Sequence, residues 1–273
     1  MCATPVWNFH WATDIPGSNF TLSHNKNTIK DLVTSYIHPE TGLPITQNRL
    51  DVGGMGKARF ILKKGGTLGD LYTQSDLKRD NNGMVEIDPS GTLTTEDNLP
   101  DIKLGSVFPK ANLAWNNRLT WRGISLSALF TARIGGIAYS ATQAAMDQYG
   151  VSERSAQARD NGGVLLNGRT LVDAQTYYSL IGNSSGLPQY YTYSATNVRL
   201  QEASVGYTIP RKWLGGVCDI DVSLVGRNLW MIYCKAPFDP ELTTSAASNF
   251  YQGFDAYMLP STRNFGFNVK FQF

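Results

Sequence analysis

Two residues in the first third of the chain have the spacing of a serine nucleophile and its lysine base. Ser75 and Lys78 form S-x-x-K, the nucleophile motif of serine β-lactamases. The partner motifs of that chemistry, S-D-N and K-T-G, do not occur, and the surrounding sequence is polar without an apolar face of helical period. We therefore expect a solvated loop at this position, with no catalytic role.

Other acidic and imidazole groups are also poorly spaced for chemistry. Asp219 and Asp221 alternate onto one face of a predicted strand, as paired carboxylates would, but a pair facing water explains them equally well. His10, His24 and His38 are fourteen residues apart, which fits no helix-based metal motif. We predict no catalytic residue, metal ligand or cofactor-binding residue.

The segment Asp239-Pro240-Glu241 supplies carboxylate oxygens of the kind that calcium prefers. A calcium site needs six to eight oxygen ligands, and no loop of EF-hand spacing is present. We interpret the segment as a turn around its proline.

One polar, aromatic-rich segment is the best candidate for ligand binding. It runs from 135 to 196, and the tyrosines in its second half are the candidates: Tyr177, Tyr178, Tyr190, Tyr191 and Tyr193. Tyrosine presents a flat apolar face with a polar tip, which suits sugar C–H faces or a partner protein. The alternative, which we favour, is that these rings pack the loop or line the rim of a barrel, because tyrosine is common at membrane interfaces.

Composition restricts the class of protein. The chain has 273 residues, of which 42% are apolar and 17% charged, and its formal net charge is +2. That balance argues against disorder and, because lysine and arginine are not clustered, against nucleic acid as a partner. The cysteines Cys2, Cys218 and Cys234 form no C-x-x-C pair, and we expect free thiols. No signal peptide and no apolar run of transmembrane-helix length is visible.

Hydrophobic residues alternate with polar ones in several segments, which predicts β-strands. Even positions from Ile124 to Ile134 are apolar, and a similar run from 113 to 121 precedes it across the dipeptide Arg122-Gly123, which predicts a hairpin. Further strands are predicted at 7–11, 20–23, 57–64, 202–209 and 219–232. The last strand is the clearest: its apolar residues are Phe265, Phe267, Val269, Phe271 and Phe273.

Two environments accept strands with one apolar face. A soluble, lectin-like β-sandwich would bury that face in a core, whereas an outer-membrane barrel would turn it toward lipid. Strands of about ten residues, aromatic residues near strand ends, and short turns alternating with a connection of about sixty residues favour the membrane. We predict an all-β protein, an antiparallel transmembrane β-barrel segment with long extracellular loops.

A series of short motifs in a fixed order also resembles a known family. The motifs are NKN at 25–27, GTLGDLY at 66–72, LGSVFPK at 104–110, VRL at 198–200, GYTIP at 206–210, GRNL at 226–229, FDPE at 238–241 and LPSTR at 259–263. Together with the terminal aromatic strand they resemble the C-terminal part of a SusC/RagA-type TonB-dependent outer-membrane transporter.

The resemblance implies a plugged barrel of 22 strands in the cell outer membrane of a Gram-negative bacterium. Such a transporter imports oligosaccharides or peptides with a SusD-like surface lipoprotein and draws energy from the TonB complex. The resemblance also makes the strand that ends at Phe273 the signal for the barrel-assembly machinery. We expect residues 1–273 to be a C-terminal barrel portion, with signal peptide and plug domain absent, that does not transport alone.

Overall fold

A computed structural model describes residues 17–32, 36–45, 47–183, 186–242 and 252–273. The described residues form mostly β-strands, as the alternation predicts, together with a few short helices. The strand predicted at 7–11 lies outside the described residues. None of the helices in these ranges has the length and apolar character needed to cross a bilayer.

The strands differ greatly in length, whereas the α-helices are all short. The strands are β1 (Ser18–His24), β2 (Tyr36–Ile37), β3 (Pro44–Ile45), β4 (Arg49–Met55), β5 (Ala58–Lys63), β6 (Asp70–Thr73), β7 (Asp76–Leu77), β8 (Thr95–Glu96), β9 (Ile102–Ser106), β10 (Ala111–Trp121), β11 (Ile124–Ile134), β12 (Ile137–Ser140), β13 (Val164–Leu166), β14 (Thr170–Val172), β15 (Thr192–Ser194), β16 (Asn197–Ile209), β17 (Asp219–Cys234), β18 (Phe254–Asp255) and β19 (Asn264–Gln272). The helices are α1 (Ala141–Gln148), α2 (Glu153–Asp160) and α3 (Ala174–Ile181), and short 3-10 turns cover Pro188–Tyr190 and Arg211–Leu214.

Six of these strands form the main sheet, in the order β1-β10-β11-β16-β17-β19 with every neighbouring pair antiparallel. The predicted hairpin is β10–β11, and Trp121 pairs with Ile124 across its turn. Both turn residues, Arg122 and Gly123, have positive φ angles of 47° and 84°. That geometry belongs to a two-residue turn whose twist matches the strands it joins.

The pairing register gives the main sheet two distinct faces. One row across five strands contains only large apolar residues: Leu119, Leu126, Val205, Leu224 and Phe267. The next row along the strands, on the opposite face, contains only small or polar residues: Thr120, Ser125, Gly206, Ser223 and Asn268. We call these the apolar face and the polar face. The predicted alternation is therefore confirmed for these rows of the five strands, because side chains of successive residues point to opposite sides.

The connections at the two ends of the main sheet differ greatly in length. One end has the turn at 122–123 and the short segment 210–218, while the other has connections at 25–110, 135–196 and 235–263. The described parts of these three connections pack together into one unit, which we call the cap. Its core contains Phe60, Tyr139, Tyr191 and Phe254, and the ring of Phe254 meets those of Phe60 and Tyr139 edge-on at 5.3 and 5.7 Å.

Three helices in the 135–196 connection were not predicted. Each has eight residues and begins at a polar side chain that accepts a hydrogen bond from a backbone N–H three residues later: Ser140, Ser152 and Asp173. These N-caps stabilise the first turn of helices that are too short to be stable alone. The connection is therefore a folded part of the cap.

Asn167, in the 135–196 connection, is hydrogen-bonded to Val85, in the 25–110 connection. Its side-chain amide donates to Val85 O at 2.8 Å and its Oδ1 accepts from Val85 N at 3.0 Å. Asn167 also has a φ of 52°, a conformation that alanine tolerates poorly. We expect Asn167→Ala to destabilise the β13–β14 hairpin by about 1–3 kcal/mol and to speed amide hydrogen exchange at 164–172. Asn167→Gly removes the hydrogen bonds without the strain, so its effect should be smaller but still measurable.

Candidate functional site

The apolar face is open to its surroundings along the last strands of the sheet. Phe265 is 79% exposed and Phe267 is 77% exposed, although both are large apolar side chains. The other residues of the predicted assembly signal are exposed as well: Val269, Phe271 and Phe273. Residues of neighbouring strands extend the surface, including Leu224 and Trp121. A surface on which so many large apolar side chains are exposed together marks an interaction site.

The polar face carries hydrogen bonds between side chains of neighbouring strands. Ser127 and Ser204 hydroxyl oxygens are 2.6 Å apart, and Arg227 Nε donates to Glu202 Oε2 at 2.8 Å. Asp221 accepts from the Thr208 hydroxyl at 2.5 Å. These contacts link β16 to both of its neighbours, β11 and β17, through side chains of the polar face.

Asp219 and Asp221 do not form a pair of carboxylates suited to acid–base catalysis. Asp219 accepts from the backbone N–H of Arg211 at 2.6 Å and from its Nη2 at 2.9 Å, which fixes the segment 210–218 against β17. Asp221 instead contacts Thr208 and Gln272. Both carboxylates therefore have local structural partners.

A nearly buried ion pair attaches the cap to the polar face. Arg199 in β16 is 4% exposed, and its Nη2 and Nη1 contact the two oxygens of Asp239 at 2.7 and 3.1 Å. Glu241 Oε2 lies 3.5 Å from the same guanidinium. The carboxylates of residues 239–241 thus bind a cation of the chain itself, which accounts for them without calcium.

The S-x-x-K motif lies in an extended segment and its residues have separate partners. Lys78 pairs with Glu86 at 2.9 Å, while Ser75 O accepts from Gln189 Nε2 at 3.0 Å. Ser75 is 6% exposed, so the expectation of a solvated loop is wrong at this position. The reason is that the 135–196 connection packs over it, a long-range contact that local polarity does not reveal.

The five predicted tyrosines are brought together only in part. Tyr191 is fully buried and Tyr177 nearly so, whereas Tyr178, Tyr190 and Tyr193 are half-buried at the surface of the cap. Their contacts differ too: Tyr177 and Tyr178 meet edge-on at 5.2 Å, and Tyr193 meets Phe238 edge-on at 5.6 Å. Two of the five rings are thus core residues, and three have a face or an edge available.

Arg154 contacts two of these tyrosines, Tyr178 and Tyr191, and sequence patterns did not point to it. Its guanidinium lies over the ring of Tyr191 at 4.9 Å and near that of Tyr178 at 5.9 Å, and it pairs with the buried Asp147. Such contacts between a cation and aromatic faces are attractive and hold the guanidinium in place.

Burial also sets the protonation of these rings. It raises the pKa of Tyr177 to about 12, and burial likewise raises the pKa of Tyr190 and of Tyr191 well above the usual value. The hydroxyls therefore stay protonated near neutral pH and do not act as bases. Any ligand contact with them uses ring faces and hydroxyl dipoles.

Asp101 in the cap gives a prediction for acid stability. It accepts from Arg49 Nε at 2.8 Å and from Gln74 Nε2 at 2.9 Å, and Lys63 Nζ lies 2.7 Å away. The hydrogen bond from Arg49, followed by that from Lys63, lowers the pKa of Asp101 from 3.8 to about 2 despite the opposing effect of burial.

Because the pKa of Asp101 is lower in the folded state than in the unfolded state, its carboxylate stabilises the fold when the pH is above the unfolded pKa. This contribution to stability disappears as pH falls from about 4 toward 2. After allowance for solvent screening at the exposed cations, it amounts to about 1–2 kcal/mol. We expect the difference in unfolding free energy between wild type and Asp101→Asn to narrow over that range, measured by guanidinium unfolding at each pH. A difference that stays constant would contradict this assignment.

Within the described residues, no three histidine, cysteine, aspartate or glutamate side chains are grouped so that they could hold a metal ion. Cys218 and Cys234 are both free; Cys218 immediately precedes β17, and Cys234 is the last residue of that strand. The features that stand out are therefore surfaces: the two faces of the main sheet and the cap.

An antiparallel sheet with one exposed apolar face, one polar face and long connections at one end is typical of outer-membrane β-proteins. Comparisons with known proteins point the same way. The TonB-dependent receptor P3 of Formosa agariphila is 24% identical over 196 residues, which cover 68% of this chain and 18% of that protein. No family model matches the chain.

Solved structures agree on the fold. The RagAB peptide transporter matches with a TM-score of 0.60 at 17% identity, covering 94% of this chain and 26% of the matched chain. The 'open-open' state of the RagAB peptide importer matches with a TM-score of 0.56 at 15% identity. The chain thus spans about a fifth to a quarter of the proteins it matches. The resemblance to SusC/RagA-type TonB-dependent transporters is confirmed.

Proposed function

We propose that this chain is the C-terminal barrel portion of a TonB-dependent importer in the outer membrane of a Gram-negative bacterium. The observation that carries the proposal is the apolar row from Leu119 to Phe267, which continues across five strands and whose side chains are all exposed. In a bilayer this surface contacts acyl chains, and the polar face lines a water-filled lumen.

The two edges of the main sheet fit a larger barrel. β1 and β19 each have a partner on one side only within the described sheet, so each presents unpaired backbone N–H and C=O groups. Hydrocarbon does not tolerate unpaired backbone groups. We infer that further strands close the sheet and that this portion alone does not transport; the family resemblance implies a complete barrel of 22 strands with a plug.

The cap then lies on the extracellular side, because outer-membrane barrels have long connections outside and short turns in the periplasm. Its surface is where substrate and a SusD-like lipoprotein would bind. The RagAB neighbours are described as peptide transporters, which favours peptides, and oligosaccharides are the second substrate class. Contact with the TonB complex would involve parts of the transporter beyond this portion, and insertion would use the barrel-assembly machinery.

The alternative of a soluble lectin-like sandwich requires a second layer over the apolar face. The exposure of Phe265 and Phe267 disfavours it, because a sandwich core would bury those rings.

Fractionation and uptake test the proposal together. The full-length protein that contains this chain should sediment with outer membranes and require detergent for extraction. Cells that depend on short peptides as nitrogen source should lose growth when its gene is deleted, and equally when TonB is deleted. Recovery of the protein in the soluble fraction would contradict the proposal, and peptide uptake unaffected by both deletions would exclude peptides as the imported substrate.

A further inference from the structure

A polar cleft on the cap lies between α2 and the residues that follow β17. Its volume is about 570 Å³, within the range of small-ligand sites. The side chains that matter for its chemistry are Gln143, Glu153, Arg154, Gln157, Tyr193 and Lys235. Two of the long connections, 135–196 and 235–263, contribute these residues, so the cleft exists only when the cap is folded.

Arg154 supplies a fixed positive charge in this cleft. The carboxylate of Asp147 and the rings of Tyr191 and Tyr178 hold its guanidinium, and about 35% of the side chain is exposed. A guanidinium has five N–H donors, more than one carboxylate uses. Because the group is already immobilised, binding a second anion costs little additional side-chain entropy.

Lys235 adds a second positive charge. Its side chain is exposed and forms no ion pair with any residue that the structure describes. The cleft also contains one carboxylate, Glu153, whose Oε1 accepts from Gln157 Nε2 at 3.2 Å. Because Asp147 pairs with Arg154, the charges in the cleft left without an ion pair among the described residues are the cation of Lys235 and the carboxylate of Glu153, and Tyr193 provides an aromatic surface in the same cleft.

We propose that this cleft binds a carboxylate of the imported substrate, with Arg154 and Lys235 as its cationic partners. A peptide C-terminus and a uronic acid both present that group, and the side-chain amides and the ring of Tyr193 suit the neighbouring residue of either oligomer. The proposal rests on the import function proposed above and adds the chemical class of the group that is recognised.

Calorimetric titration of the purified full-length transporter tests the site. The probes are trialanine, its C-terminal amide and tri-galacturonate. We expect a free carboxylate to be required for binding, and Lys235→Gln to weaken it roughly ten- to a hundredfold, the value of one charge-assisted hydrogen bond. Lys235→Arg should retain binding. Lys78→Gln, which removes another exposed cap lysine outside the cleft, should leave the affinity unchanged.

Each outcome has one meaning. Binding of trialanine but not its amide supports the site with a peptide as the source of the carboxylate, and binding of tri-galacturonate alone supports it with an acidic glycan. The proposal is overturned if the amide binds as tightly as the acid, if no probe binds, or if Lys235→Gln and Lys78→Gln act equally. If uptake and outer-membrane localisation persist in that case, only the cleft assignment fails and the import function stands.

Discussion

Replacing Phe267 by arginine should sharply reduce the amount of folded protein in the outer membrane. Phe267 lies on the apolar face, opposite Leu224 in the neighbouring strand, and is 77% exposed. A charged side chain at the bilayer midplane costs about 2–4 kcal/mol, and loss of the lipid-contacting phenylalanine adds about 1.5–3 kcal/mol. Folded and unfolded fractions can be separated by heat-modifiable mobility on electrophoresis of outer-membrane preparations.

Asn268→Arg is the matched control. Asn268 is the next residue in β19, points to the polar face and pairs with Ser223. A lumen-facing arginine remains hydrated, so we expect the amount of folded protein to stay near that of the wild type. Equal losses from the two variants would show that position in the strand, and not the identity of the face, determines the effect.

Breaking the ion pair between Arg199 and Asp239 should have a comparable effect on the cap. Asp239→Ala leaves a guanidinium that is 4% exposed without its main counter-ion, and removal of one partner of a buried pair typically costs about 3–5 kcal/mol. The segment that Asp239 anchors should then become sensitive to protease. Limited proteolysis at 235–242 and the midpoint of guanidinium unfolding measure both effects.

A double variant tests whether the lost stability comes from leaving Arg199 buried without its counter-ion. Arg199→Met with Asp239→Ala removes the charge together with its partner, so we expect much of the lost stability to return. If the double variant is as unstable as the sum of the two single ones, the residues do not act as a pair.

The strands of the main sheet could be predicted because the sequence patterns that determine them, alternation and turn residues, are local. Alternation along Ile124–Ile134 identifies the face of each residue, and Arg122-Gly123 supplies the two positive φ angles of a tight hairpin. A slip of one residue would exchange the faces of an entire strand, so the hydrophobic pattern fixes register as well as strand identity.

The cap could not be predicted in the same way, because its contacts join residues far apart in sequence. Its helices have eight residues, too few for a periodic apolar face to be recognised, although Ser140, Ser152 and Asp173 are ordinary capping residues. The roles of the tyrosines depend on Arg154 and on packing, which sequence spacing does not report. The five tyrosines remain a predicted ligand region, now divided into core and surface rings.

Spin labelling of the last strand tests most directly whether the apolar face meets lipid. Single cysteines at 265 to 270, introduced after replacement of the native cysteines by serine, would carry nitroxide labels in the full-length protein in bilayers. We expect labels at 265, 267 and 269 to relax faster with oxygen, which partitions into lipid, and those at 266, 268 and 270 with a water-soluble nickel complex. Equal accessibility to both reagents along the strand, or the reverse alternation, would contradict a lipid-facing apolar surface.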